Sequence, residues 1–141
     1  MKIPIKYFAD IDPIEKIEAG SWIDLRASED VNMYTGQFKL IPLGVGLILP
    51  EGYEAIIAPR SSTFKHFGII VANSIGVIDP SYCGEEDQWM LAAFALREVE
   101  IKKNERICQF RIQKVQPDIE FEVVDNLKDT SRGGFGSTGK A

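Results

Sequence analysis

Residues 134–140 read GFGSTGK and fit the phosphate-loop pattern G-x-x-x-x-G-K. A P-loop needs a strand before it and a helix after it, because the helix N-terminus turns free N–H groups and a positive dipole toward the phosphates. Here only Ala141 follows Lys140, in the place of the metal-binding Ser or Thr. Phosphate chemistry without a P-loop fold is therefore expected of this tail. Other stretches suit the same chemistry. In Ala58-Pro59-Arg60-Ser61-Ser62, a guanidinium and two hydroxyls precede a short helical run, a favourable place for an anion. In Val77-Ile78-Asp79-Pro80-Ser81-Tyr82, a carboxylate ends an apolar run, an arrangement that holds a water or simply starts a turn before Pro. Asp24 lies between apolar neighbours in GSWIDLRA, and Gln109 puts an amide into the strand-like RICQF.

Composition limits what these groups serve. The chain has 141 residues, 45% of them hydrophobic, enough for one domain with a core. Its net charge of −5 gives no support to general nucleic-acid binding. From residue 128 onward the balance reverses, with Lys128, Arg132 and Lys140 against Asp129, as expected of an arm that closes over a polyanion. Cys83 and Cys108 stand in no metal-ligand spacing and are expected to be reduced. His66 is the only histidine, which disfavours a Ser-His-Asp triad. No apolar run is long enough for a membrane span, and the N-terminus lacks a signal-peptide core, so a cytoplasmic protein is expected.

The elements that must position these residues are short strands. Val45–Leu49 and Tyr53–Ile57 flank a Pro50-Glu51-Gly52 turn, and further strands are predicted at Ile69–Ala72, Trp89–Ala95, Arg106–Gln113 and Phe121–Val124. Ser61–Phe67 is predicted as a short helix capped by a serine hydroxyl and stopped by Gly68. Residues 73–84 read as a strand entering a β-hairpin. The expected architecture is all-β, a sandwich or jelly roll spanning residues 1–125, followed by a flexible glycine-rich arm over 126–141.

Taken in order, GSWIDLRA, PRSS, NSIGVIDPSYCGE, RICQF and RGGFGSTG resemble the five motifs of the trimeric dUTPases, deoxyuridine triphosphate nucleotidohydrolases. The resemblance implies a β jelly roll in a homotrimer, with each site walled by two subunits and closed by the third subunit's arm. It implies hydrolysis of dUTP to dUMP and pyrophosphate by water attack on the α-phosphorus. That reaction would limit uracil incorporation into DNA and supply dUMP for dTMP synthesis. Asp79 matches the carboxylate that orients and deprotonates the water. Arg60, Ser61, Ser62 and Gln109 match phosphate-chain positions, and Arg132, Phe135, Gly136, Ser137 and Thr138 match the closing arm. Asn73, Gly76, Val77 and Ile78 would read the uracil edge through backbone and side chain, and Tyr82 would pack under deoxyribose. Mg²⁺ would be held by the phosphates and waters, with Asp24 holding those waters from outside the first coordination sphere.

The match departs from the family where Trp22 precedes Asp24 in place of a small residue, and where Arg132 stands closer to Phe135 than is usual. Glu85-Glu86-Asp87-Gln88 looks like an acidic insertion, read first as a solvated turn and otherwise as a landing place for a partner protein. Two alternatives stay open. A dCTP deaminase shares the fold but would need a carboxylate in the strand Trp89–Ala95, which has none. A nucleotide-gated regulator would bind without needing Asp79.

Overall fold

β-Branched and aromatic residues, interrupted every few positions by Gly, Pro or Asn, make strands that are short and many. In chain order they are β1 (Ile5–Tyr7), β2 (Ile23–Arg26), β3 (Val31–Met33), β4 (Phe38–Pro42), β5 (Val45–Leu47), β6 (Tyr53–Ala58), β7 (Ile69–Val71), β8 (Gly76–Ile78), β9 (Met90–Ala95), β10 (Val99–Ile101) and β11 (Arg106–Lys114). One helix, α1 (Thr63–Phe67), lies between β6 and β7. The computed structural model describes residues 1–128, 130–136 and 138–139.

The strands pair antiparallel in sheets ordered β2-β11-β6-β8, β4-β9-β7, β1-β5 and β10-β3. Alternation decides which side chains face inward. Leu25, Ile57 and Phe110 from the first sheet meet Ile41, Ile69 and Leu91 from the second in one core. Trp89 bridges the sheets, its buried ring edge-on to Phe110 with centroids 5.1 Å apart. Burying each such large side chain contributes about 1.5–3 kcal/mol. The result is an all-β jelly roll.

Three expectations need correction. Residues 121–124 lie outside any strand, and Phe121 and Val123 are exposed. A strand exists only where another edge completes its hydrogen bonds, and no described strand pairs with this segment. Residues 73–84 do not form a paired hairpin: β8 joins β6, whereas β9 joins β4 and β7. The helix begins at Thr63 rather than Ser61, and its N-cap, Ser62, makes no side-chain capping bond.

The helix ends as the sequence indicates. Gly68 has φ 64° and donates its N–H to the Phe64 carbonyl at 2.7 Å. A Cβ at this position would fall on the Arg97 side chain. We therefore expect Gly68→Ala to destabilise the fold by at least about 1 kcal/mol, from the left-handed backbone alone. A melting curve unchanged from wild type would contradict this account.

Candidate active site

The four-stranded sheet carries chemistry at both of its edges. At one edge, β2 presents Asp24 directly opposite Gln109 of β11. The Arg60 Nε lies 3.1 Å from Asp24 Oδ1, and Arg106 Nη1 lies 3.7 Å from Oδ2. Arg60 Nη1 also donates to the Arg106 carbonyl at 3.2 Å, and Gln109 Nε2 donates to the Pro59 carbonyl at 3.1 Å. Two guanidiniums on one carboxylate leave a net positive charge of about one, on a partly solvated surface where an anion can approach. A concavity of about 520 Å³ opens beside them, lined by Arg26, Arg60, Arg106 and His66 and also by the carboxylates Glu100 and Glu105.

Ser61 and Ser62 border this cluster. With no cap to make, their hydroxyls form no hydrogen bond among the described residues and remain available to a ligand. Trp22 does not displace Asp24: its ring sits beneath the Arg111 guanidinium at 5.7 Å, and the Asp24–Gln109 register holds.

At the other edge, β8 ends in a turn written by Asp79-Pro80-Ser81-Tyr82. The Tyr82 N–H donates to the Asp79 carbonyl at 2.9 Å and closes the turn. The Asp79 Oδ1 accepts the Ser81 hydroxyl at 2.5 Å and the Ser81 N–H at 2.8 Å. Those two donors, the hydroxyl first, hold the exposed Asp79 carboxyl below its ordinary range, so it is ionised at neutral pH. Among the described residues both donors fall on Oδ1, leaving Oδ2 for another partner. Tyr82 is steadied by its hydroxyl, which donates to the Gln88 carbonyl at 2.8 Å. Val77, Ile78, Asp79, Tyr82 and Met90 line a concavity of about 280 Å³.

Gly76 sits on β8 opposite Ile57, where an added Cβ would approach within 3.3 Å of the Ile57 Cβ. Asn73 is exposed in the preceding turn, its carbonyl accepting the Ile75 N–H at 2.7 Å. In the acidic segment, Glu85 pairs with Lys6, Asp87 accepts the Gly84 N–H, and Gln88 accepts the Gly44 N–H. These bonds hold the turn, as a structural reading of that segment requires.

Within one chain the two edges do not meet. β11 and β6 stand between β2 and β8, so at strand spacings near 4.8 Å the edges are about 14 Å apart. The arm is also apart: Arg132, Phe135, Gly136 and Thr138 are exposed. Phe135 and Gly136 both adopt positive φ, 50° and 85°. Ser137 lies outside the described residues. Sequence reasoning passed over Arg106 and Thr63. The signal for Arg106 was its parity with Cys108 and Phe110, which would send a charge into the core unless the strand were irregular.

This arrangement defines an all-β jelly roll with a charged Asp24–Arg60–Arg106 cluster and, apart from it, an ionised carboxylate in the turn after β8. The chain matches the dUTPase family model over residues 7–139. It is 56% identical over 140 residues to the SPbeta prophage-derived deoxyuridine 5'-triphosphate nucleotidohydrolase of Bacillus subtilis, covering 99% of each chain. It is 40% identical over 147 aligned positions to the deoxyuridine 5'-triphosphate nucleotidohydrolase of Nautilia profundicola, covering 99% of this chain and 100% of that one. Among solved structures, a Staphylococcus bacteriophage 80alpha dUTPase variant with dUpNHpp superposes with a TM-score of 0.80 at 19% identity, covering 98% of each chain, a likeness of fold. The chain belongs to the dUTPase family.

Proposed function

We propose that this protein hydrolyses dUTP to dUMP and pyrophosphate, with a water attacking the α-phosphorus, in sites shared between the subunits of a homotrimer. Asp79 supports the reading most directly: an ionised carboxylate, oriented by Ser81, at the rim of a concavity sized for a pyrimidine nucleoside. Its Oδ2 orients the water and takes its proton as attack proceeds. Val77 and Ile78 present backbone groups to the uracil edge with help from Asn73 and Gly76. The Tyr82 ring packs under deoxyribose and leaves no room for a ribose hydroxyl. A thymine methyl would clash with this wall, and cytosine would bring a donor against a donor.

The phosphates face Arg60, Ser61, Ser62 and Gln109 of another subunit. Arg132, Phe135, Gly136, Ser137 and Thr138 of the third subunit's arm close over them, backbone N–H groups toward the γ-phosphate and the Phe135 ring toward uracil. Trimer formation is supported by the outer face of the β4-β9-β7 sheet, where Phe38, Phe94 and Ile70 are aligned across the strands and Leu40 and Met90 are exposed.

No cluster of three His, Cys, Asp or Glu among the described residues offers a metal cage. The oxygen chemistry present fits Mg²⁺ that arrives on the triphosphate, with the remaining lone pairs of Asp24 accepting from its waters. When bound, Mg²⁺ would neutralise charge on the phosphate chain. No helix among the described residues is long and apolar enough to cross a membrane. Both cysteines are free, which supports a reducing, cytoplasmic setting.

The test is pyrophosphate release from dUTP, dTTP, dCTP and UTP with Mg²⁺, comparing the intact chain with one ending at Asp129. Activity on dUTP alone, lost with the tail, is expected. Ammonia from dCTP would instead establish the deaminase, and silence on all four nucleotides would favour a binding protein.

A further inference from the structure

Thr63 is a buried polar side chain, 1% exposed, at the first position of α1. Its hydroxyl oxygen accepts the Arg60 N–H at 2.7 Å and its proton goes to the Ile107 carbonyl at 2.9 Å. Ile107 is where the register of β11 slips: Gln109 faces Asp24 and Cys108 faces Leu25, but Arg106 faces Arg26. The extra residue is a β-bulge, which leaves Ile107 without a partner on β2 and its carbonyl open to a side chain.

The bulge also turns Arg106. By strand alternation Arg106 would share the buried face of Cys108 and Phe110; instead it is exposed, with its guanidinium toward Asp24. One irregularity in β11 therefore fixes both neighbours of Arg60. Its main chain is held through Thr63, and its side chain is held between Asp24 and the Arg106 carbonyl.

We propose that Thr63 is a positioning residue for Arg60, coupling the β11 bulge to the 58–63 loop so that the guanidinium stays aimed at the phosphates. This rests on the dUTP reading above. Thr63 itself touches no substrate; it acts through Arg60. Valine has the same shape without the hydroxyl, so Thr63→Val leaves the Arg60 N–H and the Ile107 carbonyl unpaired in a buried place, and the loop must move to satisfy them.

The experiment uses the full chain and three variants, Thr63→Val, Thr63→Ala and Thr63→Ser. It measures kcat/KM for dUTP, and binding of inorganic pyrophosphate and of deoxyuridine by calorimetry. Thr63→Val is expected to lower kcat/KM by about tenfold and weaken pyrophosphate by a similar factor. Deoxyuridine binding should be unchanged, and Thr63→Ser should stay within about twofold of wild type. Should the valine variant fail to fold, Thr63→Ala is read by the same criteria. Equal weakening of both ligands, wild-type kinetics without the hydroxyl, or a serine variant as impaired as valine would each overturn the proposal. Wild-type chain that binds pyrophosphate but leaves dUTP intact would sink the functional reading while still testing the positioning through pyrophosphate alone.

Discussion

Asp79→Asn is expected to lower kcat for dUTP hydrolysis by roughly 10²–10⁴-fold and to leave KM near its wild-type value. The asparagine keeps an Oδ1 for the Ser81 hydroxyl and N–H, so the Asp-Pro-Ser-Tyr turn survives. What it loses is the anion and the capacity to take a proton. The loss therefore falls on the transition state and not on ground-state binding. Unchanged kcat would remove the proposed mechanism.

With Asp79 as the proposed base, an acid limit is expected: the Ser81 hydroxyl and N–H depress its pKa below the ordinary 3.8, so the limb assignable to Asp79 should lie on the acid side of that value. As pH falls through the depressed pKa, the base is protonated and turnover through it ends. Ser81→Ala removes the larger of the two donors and should move the limb to higher pH. An NMR titration of the Asp79 carboxyl carbon reads this directly; a midpoint unmoved in Ser81→Ala would exclude the hydroxyl as its cause.

Mixing two inactive variants should restore activity. Asp79→Asn and Arg60→Ala are each expected to disable every site of their own homotrimer, one in the turn after β8 and one in the loop after β6. If a site takes its Asp79 from one subunit and its Arg60 from another, a mixed trimer contains sites with both intact. Random exchange of equal amounts gives an intact Asp79 in half the sites and an intact Arg60 independently in half, or about one site in four. Turnover should rise from near zero to about a quarter of the wild-type rate after co-refolding. The physical basis is the length of β6: Asp79 follows Ile78, which pairs with Ala55 near the start of β6, whereas Arg60 lies past its end at Ala58, about 15–20 Å away at roughly 3.3 Å per residue. No recovery, with exchange verified by mass spectrometry, would mean that each subunit supplies both residues to the same site.

Much of the candidate site was legible in residue types and order. Asp79-Pro80-Ser81-Tyr82 could be read as a turn because Pro at its second position and a hydrogen-bonding Asp at its first are local preferences. Gly68 as the helix stop was equally local, and so was the strand character of Tyr53–Ile57 and Arg106–Gln113, which lie in β6 and β11. Less was legible where pairing decides. Phe121–Val124 has strand composition, but composition cannot provide an opposing edge. Residues 73–84 looked like a hairpin because their turn residues are close in sequence, yet β8 and β9 enter different sheets. The three-residue strands β1, β3 and β10 carry too few residues for alternation to stand out.

The sequence by itself determined the chemistry available: one carboxylate in a tight turn, a guanidinium beside two hydroxyls, an amide in a strand, and a glycine-rich phosphate-loop pattern. These depend on residue type and near-neighbour spacing. Only the tertiary structure decided that Asp24, Arg60, Arg106 and Gln109 form one charged cluster, and that Asp79 lies at the opposite sheet edge. It also decided that Thr63, rather than a serine cap, holds the Arg60 main chain. Several of those relations, Asp24 with Gln109 and Thr63 with Ile107 among them, join residues more than forty positions apart through strand register. A single bulge at Ile107 changes which side chains share a face, and packing of the whole core sets that register rather than any local preference.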